Sequence, residues 1–180
     1  IVPITDLTIK DNSLIVATQG RSIWMLDDLT VIHQLSSSID EEKLYKPKDS
    51  YRMRGAGGRK SLTAGTNLPN GVIIHYFLPN YNDESDEVNL SIHSSDGELI
   101  KEFSNKSKEN SIKLKKGGNS FVWDMKYPGA KRLDNMVLWG ADFSGAKTVP
   151  GDYIVKLSVN DSELTQDFTI HKDPTSEGSI

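Results

Sequence analysis

The residues with the best claim to ligand chemistry are Trp139, followed by Gly140 and Asp142, and the upstream Tyr127. An exposed indole face stacks on the C–H groups of a pyranose, and a nearby carboxylate accepts hydrogen bonds from its hydroxyls. The plainer reading of the same indole is a lid folded back on the sandwich, because large aromatics dominate cores. The acidic run Asp83, Glu84, Asp86 and Glu87 has the oxygen density a hard cation wants. It lacks the Asp-x-Asp-x-Asp-Gly pattern and reads as a solvated hairpin loop. Asp27 and Asp28 could pair for acid–base work on a glycoside, but adjacent strand residues point opposite ways, so a structural turn is the plainer reading. His33, His75, His93 and His171 show no metal-ligand spacing, although His75 and His93 could be neighbours on facing strands. The stretch from Gly55 to Ser61 fails as a phosphate loop, because Arg59 intervenes between the second glycine and Lys60 and no hydrophobic strand precedes it. No Gly-x-Ser-x-Gly elbow occurs. No catalytic residue, metal ligand or cofactor is assigned, and the ligand-binding candidates are Trp139, Tyr127 and Asp142.

Composition narrows the class. The 180 residues carry 21 basic and 25 acidic side chains, for a formal charge of −4, with 36% hydrophobic residues. That mixture buries a core. It offers no basic stripe to nucleic acid and no polybasic membrane anchor. No apolar run reaches the length of a spanning helix. With no cysteine, disulfides and thiolate metal sites are excluded, which suits a cytosolic protein or an exported bacterial one. Starting at Ile1 without methionine, the chain reads as a piece of a longer protein whose signal peptide, if any, lies outside it.

The elements that must position these residues are strands. Ile4 to Ile9, Ser13 to Thr18 and Ser22 to Leu26, separated by Lys10-Asp11-Asn12 and Gln19-Gly20-Arg21, form a three-stranded meander. Its apolar area is too small to offset its ordering entropy, so it should pack on something else, and Trp24 reads as sheet packing. One blade of a β-propeller has this rhythm. Leu29 to Leu35 is a short helix or strand, and Ser36 to Ser38 could cap a helical turn over Glu41 to Tyr45. Arg52 to Gly58 reads as an exposed loop. From Val72 onward the pattern is all-β. Val72 to Leu78 looks buried on both faces, while Val88, Leu90 and Ile92 alternate with polar residues. Ser95-Asp96-Gly97 looks like a type I′ hairpin turn into Leu99 to Phe103. Ser111 to Leu114 is a short strand, Asn119 to Lys126 a central one with Phe121 and Trp123 on one face, and Tyr153 to Val159 turns at Asn160-Asp161 into Leu164 to Ile170. Seven strands at these spacings predict an immunoglobulin or fibronectin-III-like sandwich with Trp123 in its core. The excursion from Tyr127 to Val149 holds Met136, Leu138, Trp139 and Phe143, more apolar surface than a solvated loop shows, so it should cover something.

The run Leu14-Ile15-Val16-Ala17-Thr18-Gln19-Gly20-Arg21-Ser22-Ile23-Trp24-Met25-Leu26-Asp27-Asp28 resembles the end of the last propeller blade in bacterial BNR-repeat, sortilin-like "glycosyl hydrolase" proteins. That family reads roughly Gly-Thr-His-Gly-Arg-Gly-Ile-Trp there, and this chain departs at Ala17, Gln19 and Ser22. The family's Ser-x-Asp-x-Gly-x-Thr-Trp box is absent. The resemblance continues through Gly65 to Gly71, Gly118 to Ala130, Pro150-Gly151-Asp152-Tyr153 and Lys172-Asp173-Pro174. Trp123-Asp124 with Pro150 to Tyr153 is also similar to the Ig-like domain of flagellar hook-capping proteins.

The expected organisation is therefore all-β. A propeller-blade-like meander (1–35) is followed by a linker (36–71), an Ig/fibronectin-III-like β-sandwich (72–172) and a tail (173–180). The resemblance implies a non-catalytic accessory, scaffold or interaction domain beside an upstream β-propeller in an exported protein. The alternative it implies is a carbohydrate-binding or substrate-lip module of a glycoside hydrolase. A protein ligand could also add as a strand at an exposed sandwich edge.

Overall fold

The computed structural model describes residues 2–35, 40–53, 68–131, 139–140 and 142–177. They fall into two compact units that divide between Ser38 and Ile39, and almost every regular element is a strand.

The first unit is one antiparallel sheet in the order β1-β2-β3, with β1 at Ile4–Lys10, β2 at Ser13–Thr18 and β3 at Ile23–Leu26. The β1–β2 connection is a two-residue turn in which Asp11 and Asn12 both have positive φ, 49° and 64°, the type I′ geometry whose twist matches paired strands. Asn12 then ties the end of the sheet together. Its side-chain amide donates to Asp28 Oδ1 and Thr30 Oγ1, and its carbonyl accepts from the Leu29 N–H. The segment left open between helix and strand is a single helical turn, α1, at Thr30–His33.

The second unit contains two sheets. One runs β4-β6-β9, with β4 at Lys43–Leu44, β6 at Val72–Leu78 and β9 at Gly117–Trp123. The other runs β5-β11-β10-β7-β8, with β5 at Ser50–Arg52, β7 at Val88–Ser94, β8 at Leu99–Ser104, β10 at Gly151–Val159 and β11 at Ser162–Lys172. All pairings are antiparallel except β5 with β11. Period-2 alternation puts one face of each long strand inward. Val72, Ile74, Tyr76 and Leu78 of the smaller sheet share one core with Leu90, Ile92, Val155, Leu157 and Phe168 of the larger. At its centre Trp123, with no exposed surface, packs edge-on to Tyr153 and Phe168 at ring separations of 6.0 and 6.2 Å.

Several expectations change. Glu41 to Tyr45 is no helical turn: Lys43 and Leu44 pair with Phe77 and Tyr76, and Leu44 and Tyr45 are buried. The expected linker thus supplies two strands, because β5 also joins the larger sheet. Ile73, His75 and Phe77 are half-buried, so β6 is sealed on its inner face only. The Ser95-Asp96-Gly97 connection is not type I′. Gly97 alone has positive φ (86°), and its N–H returns to the Ser94 carbonyl, which makes a turn followed by a glycine bulge. Ser111 makes an isolated bridge to Ser104 rather than opening a strand. Finally, β9 ends at Trp123 and lies at the edge of its sheet rather than its centre. Its inward pair, Phe121 and Trp123, is as expected.

Candidate functional site

The excursion after β9 begins with a left-handed residue. Met125 is buried at φ 58°, and its carbonyl accepts from both the N–H and the hydroxyl of the fully buried Thr148. From there the two legs run side by side. Lys126 bridges Lys147, the Tyr127 N–H donates to the Ala146 carbonyl, and the Ala130 N–H donates to the Phe143 carbonyl. The legs touch so closely that a Cβ on Gly145 would stand 2.0 Å from the Tyr127 carbonyl oxygen, so only glycine fits there.

Tyr127 and Asp142 stand on opposite legs of this ladder. Tyr127 is 40% exposed. Both Asp142 carboxylate oxygens accept from Ser144, one from its N–H at 2.8 Å and one from its hydroxyl at 2.9 Å. Those bonds, backbone first, and then the charge of Lys126 hold its carboxyl below the usual carboxylate range. Trp139 is 97% exposed. The lid reading is therefore wrong for this indole, which presents both faces to solvent; Met136 and Leu138, expected beside it, lie outside the described residues. The ladder brings Tyr127 and Asp142 to one structure, and no described hydrogen bond or ring contact links Trp139 to either.

The other sequence candidates are used in turns and loop ties. Asp28 Oδ1 accepts from Asn12 and from the Thr30 N–H, the turn expected for Asp27-Asp28. The acidic run is more than a solvated loop. Asp86 accepts from the Asn82 N–H, the Ser85 hydroxyl and the Asn160 amide, and these, the backbone bond first, hold its pKa below normal. Asn105 donates to the Asp86 carbonyl and to Tyr81 Oη while accepting from the Val88 N–H, and Asn160 accepts from the Glu87 N–H. Three loops are knotted by two asparagines and one aspartate. Nothing in the spacing of Asn105 and Asn160 could have announced this. His75 and His93 are not neighbours: they lie on outward positions of different sheets. His93 is engaged by Ser91 Oγ and the Gly97 carbonyl through its two ring nitrogens. Gly55 to Ser61 lies outside the described residues.

One surface escaped the sequence reading. Register places Leu7 beside Val16 and Val16 beside Trp24, and likewise Ile9 beside Leu14 and Leu14 beside Leu26. Directly paired strand residues share a face. These six apolar side chains therefore form one uninterrupted face of the first sheet. Ile9 is 64% and Trp24 63% exposed, so Trp24 is not the packed residue its sequence position led one to expect. Its indole N–H is nonetheless satisfied, donating to the Arg21 carbonyl at 2.9 Å. The opposite face mixes Asp6, Thr8 and Ser13 with Ile15, Ile23 and Met25. The missed signal was strand register, which alternation within single strands does not contain.

Among the described residues no helix is long and apolar enough to cross a membrane. No protein-family model, curated protein or solved structure matches this chain.

Proposed function

We propose that the chain is a non-catalytic interaction module in which the second unit is an immunoglobulin/fibronectin-III-like scaffold and the first unit's apolar face is the docking element. The scaffold reading rests on strand order. The order β4-β6-β9 in one sheet and β11-β10-β7 in the other is the order that architecture would have, with β8 and β5 as additions at the edges of the second, and it supports the reading. A tyrosine corner supports it: the Tyr153 hydroxyl, at the start of β10, donates to the Val149 carbonyl four residues upstream.

The docking reading is carried by the six-residue face of Leu7, Ile9, Leu14, Val16, Trp24 and Leu26. A contiguous exposed apolar patch of this kind marks an interaction surface. A three-stranded sheet lacks one strand of a four-stranded propeller blade, and blades cover one another's faces. The resemblance names the partner, an upstream β-propeller of an exported BNR-type protein. One local detail favours it. Ser22, where that family has glycine, sits at φ 62°, a conformation glycine adopts without strain. The test uses a Trp139→Phe background, in which Trp24 is the remaining exposed indole. Acrylamide should quench it strongly in the chain alone and several-fold less when the chain follows a BNR propeller stripped of its own last blade. Equal quenching would contradict the reading.

A second reading, carbohydrate binding at Trp139 with Tyr127 and Asp142, is favoured by the 97% exposure of that indole. A glycan array probed with the parent and with Trp139→Ala decides it. Binding lost in the variant supports a sugar module, and no binding by the folded parent removes it.

A further inference from the structure

Among the described residues the second unit has four sheet edges, and three of them are blunted. β4 is two residues long, β5 is three and ends in Arg52. β8 carries Lys101 and Glu102 and is bridged at Ser104 by Ser111. Short length, charge and covering are how natural sheets prevent unwanted pairing. The fourth edge, β9, is seven residues long with no charge and no proline, and its register against β6 is unbroken.

The direction of its free groups follows from one hydrogen bond. The Tyr45 N–H donates to the His75 carbonyl, so the His75 backbone faces β4. Backbone direction alternates along a strand, so Ile74 and Tyr76 face β9, and their partners Phe121 and Asn119 face β6. Gly118, Ser120 and Val122 therefore point their N–H and C=O groups out of the sheet. All three are exposed.

We propose that this edge pairs antiparallel with β9 of a second copy of the chain, about a two-fold axis at Ser120. The alternation of outward groups permits it without adjustment. Ser120 exchanges both bonds with the partner's Ser120, and Gly118 exchanges both with the partner's Val122. The valine then covers a glycine that has no side chain of its own. The register holds over Gly118 to Val122 and goes no further on the Gly117 side, because the chain bends at Lys116 and Asn119 binds back to the Lys115 N–H and carbonyl. The edge is thus self-complementary in its hydrogen bonds, as an isologous contact requires, and two three-stranded sheets become one.

Sedimentation of the 180-residue chain from about 1 µM to about 1 mM tests this against the range typical of specific contacts. The expected result is a concentration-dependent dimer. Ser120→Pro removes an outward N–H and no bond to β6, which is where an edge strand tolerates proline. It should melt like the parent and remain monomeric. Ser120→Asp or Ser120→Lys alone should weaken the dimer about tenfold, because like charges then meet across the two-fold axis, and an equimolar mixture of the two variants should pair again. The charged variants decide the matter if the proline variant does not fold. A chain that stays monomeric throughout would overturn the proposal, as would a dimer indifferent to all of these changes. So would a dimer dissolved by Trp24→Asp but not by the β9 variants, which would instead place self-association on the first sheet.

Discussion

The two units are built from strands of the same kind, yet among the described residues the second has a buried core and the first has none. The difference is a second layer. In the larger unit, inward residues of β6 and β9 meet those of β7, β10 and β11, and Trp123, Ile74, Leu90 and Val155 lose all contact with water. In the smaller unit, the described strands pair side by side in a single sheet and the unit has no second layer of its own. Hydrogen-bonded pairing satisfies the backbone of a sheet but covers neither face, and burial of faces is what stabilises it.

That contrast can be broken most sharply at its two tryptophans. Trp123→Ala should destabilise the sandwich by about 3–5 kcal/mol, the usual cost of emptying a buried aromatic site. The loss should appear as a large fall in the thermal midpoint. Trp24→Ala should leave that midpoint nearly unmoved, since its ring is largely in water already.

A smaller difference should appear in alkali. Burial, and then the nearby Tyr81, pushes the pKa of Tyr76 up to about 12. A raised native pKa makes stability complete below the unfolded value near 10 and loses it as pH climbs towards 12. The loss amounts to roughly 3 kcal/mol at the upper end. Denaturant titrations at pH 9 and pH 12 should show it in the parent and not in Tyr76→Phe.

Tyr153→Phe removes only the hydroxyl that donates to Val149 and should cost about 1 kcal/mol in the same titrations. The least effect belongs to the first sheet. Ser22→Gly relieves a left-handed serine but loosens the unfolded chain, for a net gain of about 0.5 kcal/mol, readable as slower amide exchange in β2 and β3.

Much of the sandwich was legible because its signals are local. Val88, Leu90 and Ile92 alternate in sequence and alternate in burial, and Trp123 and Tyr153 face inward as their strand positions require. What stayed hidden depends on partners far along the chain. Lys43 and Leu44 are a strand only because Tyr76 and Phe77 lie beside them, which overrides the helical capping pattern before them. The edge position of β9 is a property of sheet order that its own residues do not state. The exposure of Trp139 had no precursor in composition, because an indole in a long excursion fits lid and platform alike. The loop knot at Asp86 needs Asn105 and Asn160 delivered from two other turns.

Amide hydrogen exchange, followed strand by strand on the monomeric chain, tests the central claim most directly. If a shared core is what separates the two units, β6, β7 and β10 should exchange only through global unfolding, and β1 to β3 should exchange orders of magnitude faster through local opening. Comparable protection of Ile4–Lys10 and Val72–Leu78 would contradict it.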